Sequence, residues 1–356
     1  MFFNVLAAYG LNEDDCAIQA YGTGLINHTW KITCKGDEYI LQHINHEVFG
    51  QPGLIAENIN ALAAYLNLHF PEYPFIRPLS TSDGRSLVYT EDRGYFRLTP
   101  FVIASHTYDV AKTSQLAYEA ARQFGKFTKL LSGFPAENLH ITLPDFHNLS
   151  LRCEQFETAL LHGNQDRIKE ADEYIDTIRK FNHILTRFEY IRIHPEFRTR
   201  VTHHDTKISN VLFDKADKGL CVIDLDTVMP GYFISDFGDM MRTYLSPVSE
   251  EEKDFSRIVI REDYFKAIVR GYLSEMKDEL STEEVAHVVY AGQFMIYMQA
   301  IRFLTDHLNN DRYYGAKYDG HNLVRAGNQI TLLQRLTEKE NILNEIVTGY
   351  PLTVAG

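Results

Sequence analysis

The pattern of hydrophobic residues changes character near residue 104, and that change constrains the fold more than any single motif. Before it, short β-prone runs dominate: Thr29-Trp30-Lys31-Ile32-Thr33, Tyr39-Ile40-Leu41, Ser86-Leu87-Val88-Tyr89 and Tyr95-Phe96-Arg97-Leu98, the last ending at Pro100. Gly36-Asp37 between the first two runs is a hairpin signal. Leu54, Ile55, Ile59, Leu62, Ala63 and Leu66 interrupt the strands with an apolar stripe at helical spacing. After residue 104 the spacing predicts long helices, one over 111–131, two within 151–185 and one over 264–276. Ser249-x-x-Glu252 and Ser281-x-x-Glu284 read as capping-box helix starts. The expected class is therefore α+β, with a small antiparallel sheet and one helix over 1–103 and a larger, mostly helical region over 104–356.

Two domains, or one large bilobal unit, also suit a chain of 356 residues. A net charge of −13 argues against nonspecific binding to nucleic acid or to an anionic membrane, since neither polyanion gains from such a field. Cys16, Cys34, Cys153 and Cys221 are scattered and form no CxxC pair, which suits reduced thiols in a cytoplasmic protein. The apolar start, Met1 to Ala8, lacks a basic flank and soon meets Glu13, Asp14 and Asp15, unlike a signal peptide. Residues 286–304 are the most membrane-like window. His287, Gln293, Gln299 and Arg302 interrupt it, so a buried core helix is expected there.

Within the helical region lies His203-His204-Asp205-Thr206-Lys207-Ile208-Ser209-Asn210, followed by two short apolar runs and Asp224. Asp205 could orient an attacking hydroxyl and take its proton late, because a carboxylate with an ordinary pKa of about 3.9 is a weak base at neutral pH. Asn210 and Asp224 offer the oxygen ligands that Mg²⁺ prefers when it bridges nucleotide phosphates. Lys207 is placed to meet a transferring phosphoryl group. The same order of base, Asn and metal Asp occurs in the catalytic loop of protein kinases. The alternatives are a turn-closing Asp, a solvated lysine and a metal-dependent hydrolase. The hydrolase would leave Asn210 without a task, and adjacent His-His-Asp is poor zinc spacing. Asp236-Phe237-Gly238 resembles the kinase DFG motif but lies twenty-six residues after Asn210, so Asp236 is read as a helix-start residue bracing the loop.

Gly22-Thr23-Gly24, with Asn27 after it, is a glycine turn whose backbone amides could cover ATP phosphates. Nucleotide is expected beneath it, with adenine against the segment from Pro100 through Phe101 to Ile103. Where the kinase pattern Val-Ala-Ile-Lys carries its lysine, this chain has Gln42, which cannot make an ion pair with Glu57.

Together these residues resemble the aminoglycoside phosphotransferase and choline kinase superfamily, and within it the bacterial N-acetylhexosamine 1-kinases. The matching stretches are Gly24 to Asn27, Tyr39 to Gln42, Thr202 to Lys207, Ile223 to Gly231, Asp236 to Asp239, Arg302 to Asp306 and His321 to Arg325. The resemblance implies a bilobal, protein-kinase-like fold and transfer of phosphate from ATP with Mg²⁺ to the anomeric hydroxyl of an N-acetylhexosamine. It places Asp205 at the catalytic base and Asn210 and Asp224 at the metal ligands. Asp226, Arg302 and Tyr313 fall at sugar contacts, and Gln42 also matches this branch. Leu25 stands where that family can carry a sugar-touching His, which puts the preferred sugar in question. Other acceptors (another sugar, an amino alcohol or an aminoglycoside) and a nucleotide-binding scaffold without turnover are the competing readings.

Overall fold

A computed structural model describes residues 2–22 and 27–350. The chain divides into two compact units. The first comprises Met1–His106, Gly133–Pro144 and Leu212–Pro230, and the second Thr107–Ser132, Asp145–Val211 and Gly231–Gly356.

The first unit is built on five antiparallel strands: β1 (Cys16–Ala20), β2 (His28–Cys34), β3 (Asp37–Ile44), β4 (Val88–Thr90) and β5 (Gly94–Pro100), in the order β1-β2-β3-β5-β4. The hairpin falls one residue earlier than expected, on Lys35-Gly36. Cys34 pairs with Asp37, and both loop residues take positive φ (54° and 98°), the primed turn that matches strand twist. Helix α1 (Phe3–Ala8) packs Val5 and Leu6, with Phe2 before it, against Ile32, Leu41, Phe96 and Leu98 of the sheet. This use of the apolar start gives it a core role. The apolar stripe at Leu54 forms α2 (Pro52–His69), opened by Pro52 at its first turn, where a missing N–H costs nothing.

The second unit holds helices α3 (Ser114–Leu130), α4 (Leu149–His162), α5 (Gln165–Glu170), α6 (Asp172–Lys180), α7 (His183–Ile193), α8 (Phe233–Tyr244), α9 (Glu262–Met276), α10 (Thr282–Ala286), α11 (Val288–Leu308), α12 (His321–Glu338) and α13 (Glu340–Thr348). The stretch expected to hold two helices holds four, because Asn164 caps α5 through its side chain and the chain breaks again at Ala171 and Phe181. Ser281 and Glu284 form the expected capping box at α10. Ser249-x-x-Glu252 forms a turn instead: the Glu252 carboxylate accepts from the N–H groups of Lys253 and Asp254 and pairs with Arg257, while Glu250 and Glu251 pair with Arg242, Arg325 and His321. Residues 286–304 lie mostly in α11, buried along nearly its whole length as a core helix. Among the described residues no helix is long and apolar enough to cross a membrane.

Helices α3 and α9 approach closely because glycines face backbone. A Cβ on Gly271 would stand 2.3 Å from the Tyr118 carbonyl oxygen, and one on Gly125 2.9 Å from that of Tyr272. Gly271→Ala should therefore cost about 1–3 kcal/mol by forcing the helices apart. A urea midpoint unchanged from wild type would contradict this account of the contact.

Two further segments carry candidate site residues. In the second unit β6 (Arg200–Thr202) precedes the His203–Asn210 loop. In the first, β8 (Gly219–Val222) precedes Asp224; β7 (Val211–Phe213) lies between them in sequence and pairs with β8. The fold is thus the α+β, protein-kinase-like one the sequence implied.

Candidate active site

In the second unit, buried acids at the start of α8 hold the His203–Asn210 loop by its backbone. Asp236 accepts from the N–H groups of His203 (2.9 Å) and His204 (2.7 Å), and Asp239 accepts from Thr206 N–H (2.8 Å). Tyr244 donates its hydroxyl to the Thr206 carbonyl at 2.5 Å. Burial pushes the Asp236 carboxyl up to about 6, opposed by those two backbone donors and by His203. Asp236 is therefore the loop brace expected from its position. His203 is fully buried and meets the rings of Phe124 and Phe127 edge-on, a packing role. His204 has φ of 66°, a left-handed conformation that costs a non-glycine residue free energy. Its ring fits only because Gly231 lacks a side chain; a Cβ there would lie 2.5 Å from Nε2.

The turn at His204 precedes Asp205, whose carboxylate is partly open to solvent. Asn210 donates Nδ2 to the Asp205 carbonyl (2.9 Å) and carboxylate (3.1 Å), and Lys207 Nζ lies 3.2 Å from Oδ2 of the same carboxylate. Asp205, Lys207 and Asn210 are thus brought together. The amide nitrogen of Asn210 is committed to Asp205, so its remaining polar atom is a carbonyl oxygen, the donor type a hard cation takes.

Arg302, on α11, lies 3.5 Å from the Tyr313 hydroxyl and 3.4 Å from the Gln299 side-chain oxygen. Its guanidinium lies near the rings of Phe146, Tyr313 and Tyr314 at 5.6, 5.8 and 5.4 Å. Asp306, one turn further along the helix, accepts from the N–H groups of both tyrosines (2.7 and 2.9 Å), and Asn322 donates to Asp306, Asp311 and the Gly315 carbonyl. The two C-terminal motifs therefore act largely as a clasp that fixes the loop presenting Tyr313.

In the first unit, the strand register sets Gln42 opposite Arg97, and Arg97 Nε donates to Gln42 Oε1 at 2.9 Å. The buried Arg97 guanidinium pairs with buried Asp226, and it also interacts electrostatically with Asp224. Asn27 donates to the other Asp226 oxygen (2.8 Å) while its own Oδ1 accepts from Asn45 N–H (3.0 Å). Both Asp226 oxygens are thus engaged within the protein. Arg97 supplies a fixed cation in the region where the sequence shows a missing lysine, and Glu57 pairs with His140 instead (2.8 Å). Sequence reasoning missed Arg97, although an arginine within the apolar run Phe96-Arg97-Leu98 was a visible signal. Asp224 itself has φ of 61° and starts a one-turn helix over Leu225–Thr227.

Phe101 continues the β3–β5 pairing by donating its N–H to Glu38 (3.0 Å), and its ring meets Tyr21 edge-on and Lys31 at 4.0 Å. Ile103 is exposed and Gly22 takes φ of 76°. Thr23, Gly24 and Leu25 lie outside the described residues.

Residues 17–276 match the sequence profile of the phosphotransferase enzyme family, APH. Among solved structures, the chain is similar to a microcompartment-associated aminopropanol kinase at 16% identity, covering 96% of this chain and 97% of that one with a TM-score of 0.66. It is also similar to an aminoglycoside phosphotransferase from Alicyclobacillus acidocaldarius subsp. acidocaldarius, at 14% identity, 96% and 95% coverage and a TM-score of 0.64. A third, an amicoumacin kinase in complex with AMP-PNP, Ca²⁺ and Ami, shares 13% identity over 99% and 93% of the chains, with a TM-score of 0.58. The chain belongs to the phosphotransferase enzyme family and is an enzyme of phosphoryl transfer.

Proposed function

We propose that this enzyme transfers the γ-phosphoryl group of ATP, with Mg²⁺, to the anomeric hydroxyl of an N-acetylhexosamine, giving the sugar 1-phosphate. The observation that carries this reading is the pairing, within one unit, of an Asp205 carboxylate flanked by Lys207 and Asn210 with an arginine–tyrosine set at Arg302 and Tyr313. The first group suits proton removal from a hydroxyl; the second offers planar donors and aromatic faces to a sugar ring.

Asp205 would orient the acceptor hydroxyl and receive its proton as charge leaves the oxygen, and Lys207 would meet the transferring group. Asn210 and Asp224 would hold Mg²⁺, which when bound neutralises phosphate charge. Gly22, Thr23, Gly24, Asn27, Gln42, Phe101 and Ile103 would serve the nucleotide, with Gln42 acting through Arg97 and Asn27 tying the base of the glycine turn to Asp226. Asp226 would bear on the sugar while being held by Arg97 and Asn27. The relative solved with AMP-PNP and Ca²⁺ supports a nucleotide with a divalent cation in this fold.

A second reading, an amine-bearing acceptor, is favoured by the aminopropanol kinase and the aminoglycoside phosphotransferase among the similar structures. ATP consumption against N-acetylhexosamines, simple hexoses, amino alcohols and aminoglycosides separates the two. An acid-labile sugar 1-phosphate from N-acetylglucosamine or N-acetylgalactosamine is the expected product. Its absence with every N-acetylhexosamine would sink the first reading.

A further inference from the structure

Among the described residues, two half-buried arginines of the second unit, Arg152 and Arg302, make no ion pair with a carboxylate, in contrast to Arg167, Arg200, Arg242 and Arg325, each of which meets an acid. Arg152, on α4, donates to the carbonyls of Asp145 (2.7 Å) and Phe146 (3.4 Å) and to Gln155 (2.9 Å). This grip fixes a loop that starts from left-handed Asp145 (φ 55°) and carries Phe146 and His147. His147 stacks on Phe146 at 4.4 Å, and its ring lies 5.2 Å from that of His204, the neighbour of Asp205. Phe146 in turn lies under Arg302. Arg152 Nε and His147 Nδ1 are both buried without a hydrogen-bond partner in the described protein, which is a costly state for polar atoms.

We propose that His147, Arg152 and Arg302 form an acceptor subsite that takes an electron-rich oxygen, an acyl carbonyl or a carboxylate beside the reacting hydroxyl, and rejects cationic amines. The proposal rests on the reading that the acceptor meets Arg302, and it selects among the acceptors that reading leaves open.

The charge balance supports it. Burial, then His204 and the nearby arginines, hold the His147 ring well below its ordinary range, so it is neutral at physiological pH. Burial and then Arg302 push the Arg152 guanidinium down, opposed by Tyr313, Tyr314 and Asp145. The neighbouring acids already have partners: Glu250 lies between Arg242 and Arg325, Asp306 is taken by the Tyr313 and Tyr314 amides and Asn322, Asp145 accepts from Asn148 and acts on Arg152, and Asp205 is met by Asn210 and Lys207. A protonated amine entering here meets two cations whose nearby carboxylates already have partners, the arrangement by which a site disfavours a ligand.

The test measures KM and kcat for three acceptors on one ring that differ at C2, glucosamine, N-acetylglucosamine and 2-O-carboxymethylglucose, at about pH 6.5, where an alkyl amine is protonated. Wild type is expected to have kcat/KM at least about tenfold lower for glucosamine than for N-acetylglucosamine. 2-O-Carboxymethylglucose separates the two oxygen sources: preference for it marks a carboxylate reader, preference for the N-acetyl sugar a carbonyl reader. His147→Asp should narrow the wild-type gap about tenfold with the KM for ATP unchanged, whereas uncharged His147→Asn should preserve it within about twofold. Equal or better use of glucosamine by wild type overturns the subsite, even if the variant fails to fold. So does a folded His147→Asp protein with the wild-type ratio. If no N-acetylhexosamine is phosphorylated but a neutral or anionic acceptor is preferred over its amine analogue, the sugar assignment falls and the subsite stands.

Discussion

Asp205→Asn is expected to lower kcat at least about 10²-fold, the lower end for loss of a general base. Nucleotide affinity should stay within about twofold of wild type. The substitution keeps the shape of the side chain and removes its charge. Asn210 Nδ2 and Lys207 Nζ, which now converge on the carboxylate at 3.1 and 3.2 Å, would meet a neutral amide, so the acceptor hydroxyl loses both its proton acceptor and its orientation. The loop should remain folded, because Asp236, Asp239 and Tyr244 hold the backbone of residues 203, 204 and 206 without using the Asp205 side chain. Steady-state kinetics with calorimetric ADP binding provides the check. Turnover within tenfold of wild type would show that another group takes the proton; equal loss of ADP binding would show that Asp205 acts through the fold.

The strand-rich start, the helical remainder and the loop from His203 to Asn210 were legible because each depends on local chemistry: alternation, turn residues and the spacing of a carboxylate from a carboxamide. The breaks that divide 149–193 into four helices were less visible, since only Asn164 announces itself as a cap. Ser249-x-x-Glu252 misled because its acids have other partners. Glu252 is taken by the Lys253 and Asp254 amides and Arg257, and Glu250 meets Arg242 and, from far along the chain, Arg325. The C-terminal motifs show the same limit. Asp306 and Asn322 looked equivalent to Arg302 as parts of matching segments, yet only the fold shows that they clasp the loop bearing Tyr313 while Arg302 reaches the tyrosine side chain. His147 and Arg152 carried no sequence signal at all, because their meaning depends on which arginines lack acids.

Arg97 is the sharpest case of information held in register, and removing it should have the largest effect on stability. Gln42 and Arg97 are fifty-five residues apart and become neighbours only when β3 pairs with β5. Arg97→Met should destabilise the protein by about 3–5 kcal/mol, because it leaves the Asp226 carboxylate buried without its cation, and an uncompensated buried charge costs more than the intact pair contributed. One Asn27 hydrogen bond cannot replace a full opposite charge at the other oxygen. The double variant Arg97→Met/Asp226→Leu removes both charges and should recover most of that loss, since apolar replacement of a whole buried pair is often neutral or better. Urea denaturation of wild type, both single variants and the double completes the cycle. A loss below about 1 kcal/mol for Arg97→Met would mean that water or a shifted donor already satisfies Asp226. A double variant no more stable than the singles would mean that Arg97 holds the first unit together through Gln42 and the sheet, with Asp226 secondary. If the pair behaves as expected, the Gln42 substitution becomes intelligible as chemistry: the cation that a lysine at position 42 would have supplied arrives from the neighbouring strand and is fixed on the acid two residues beyond Asp224.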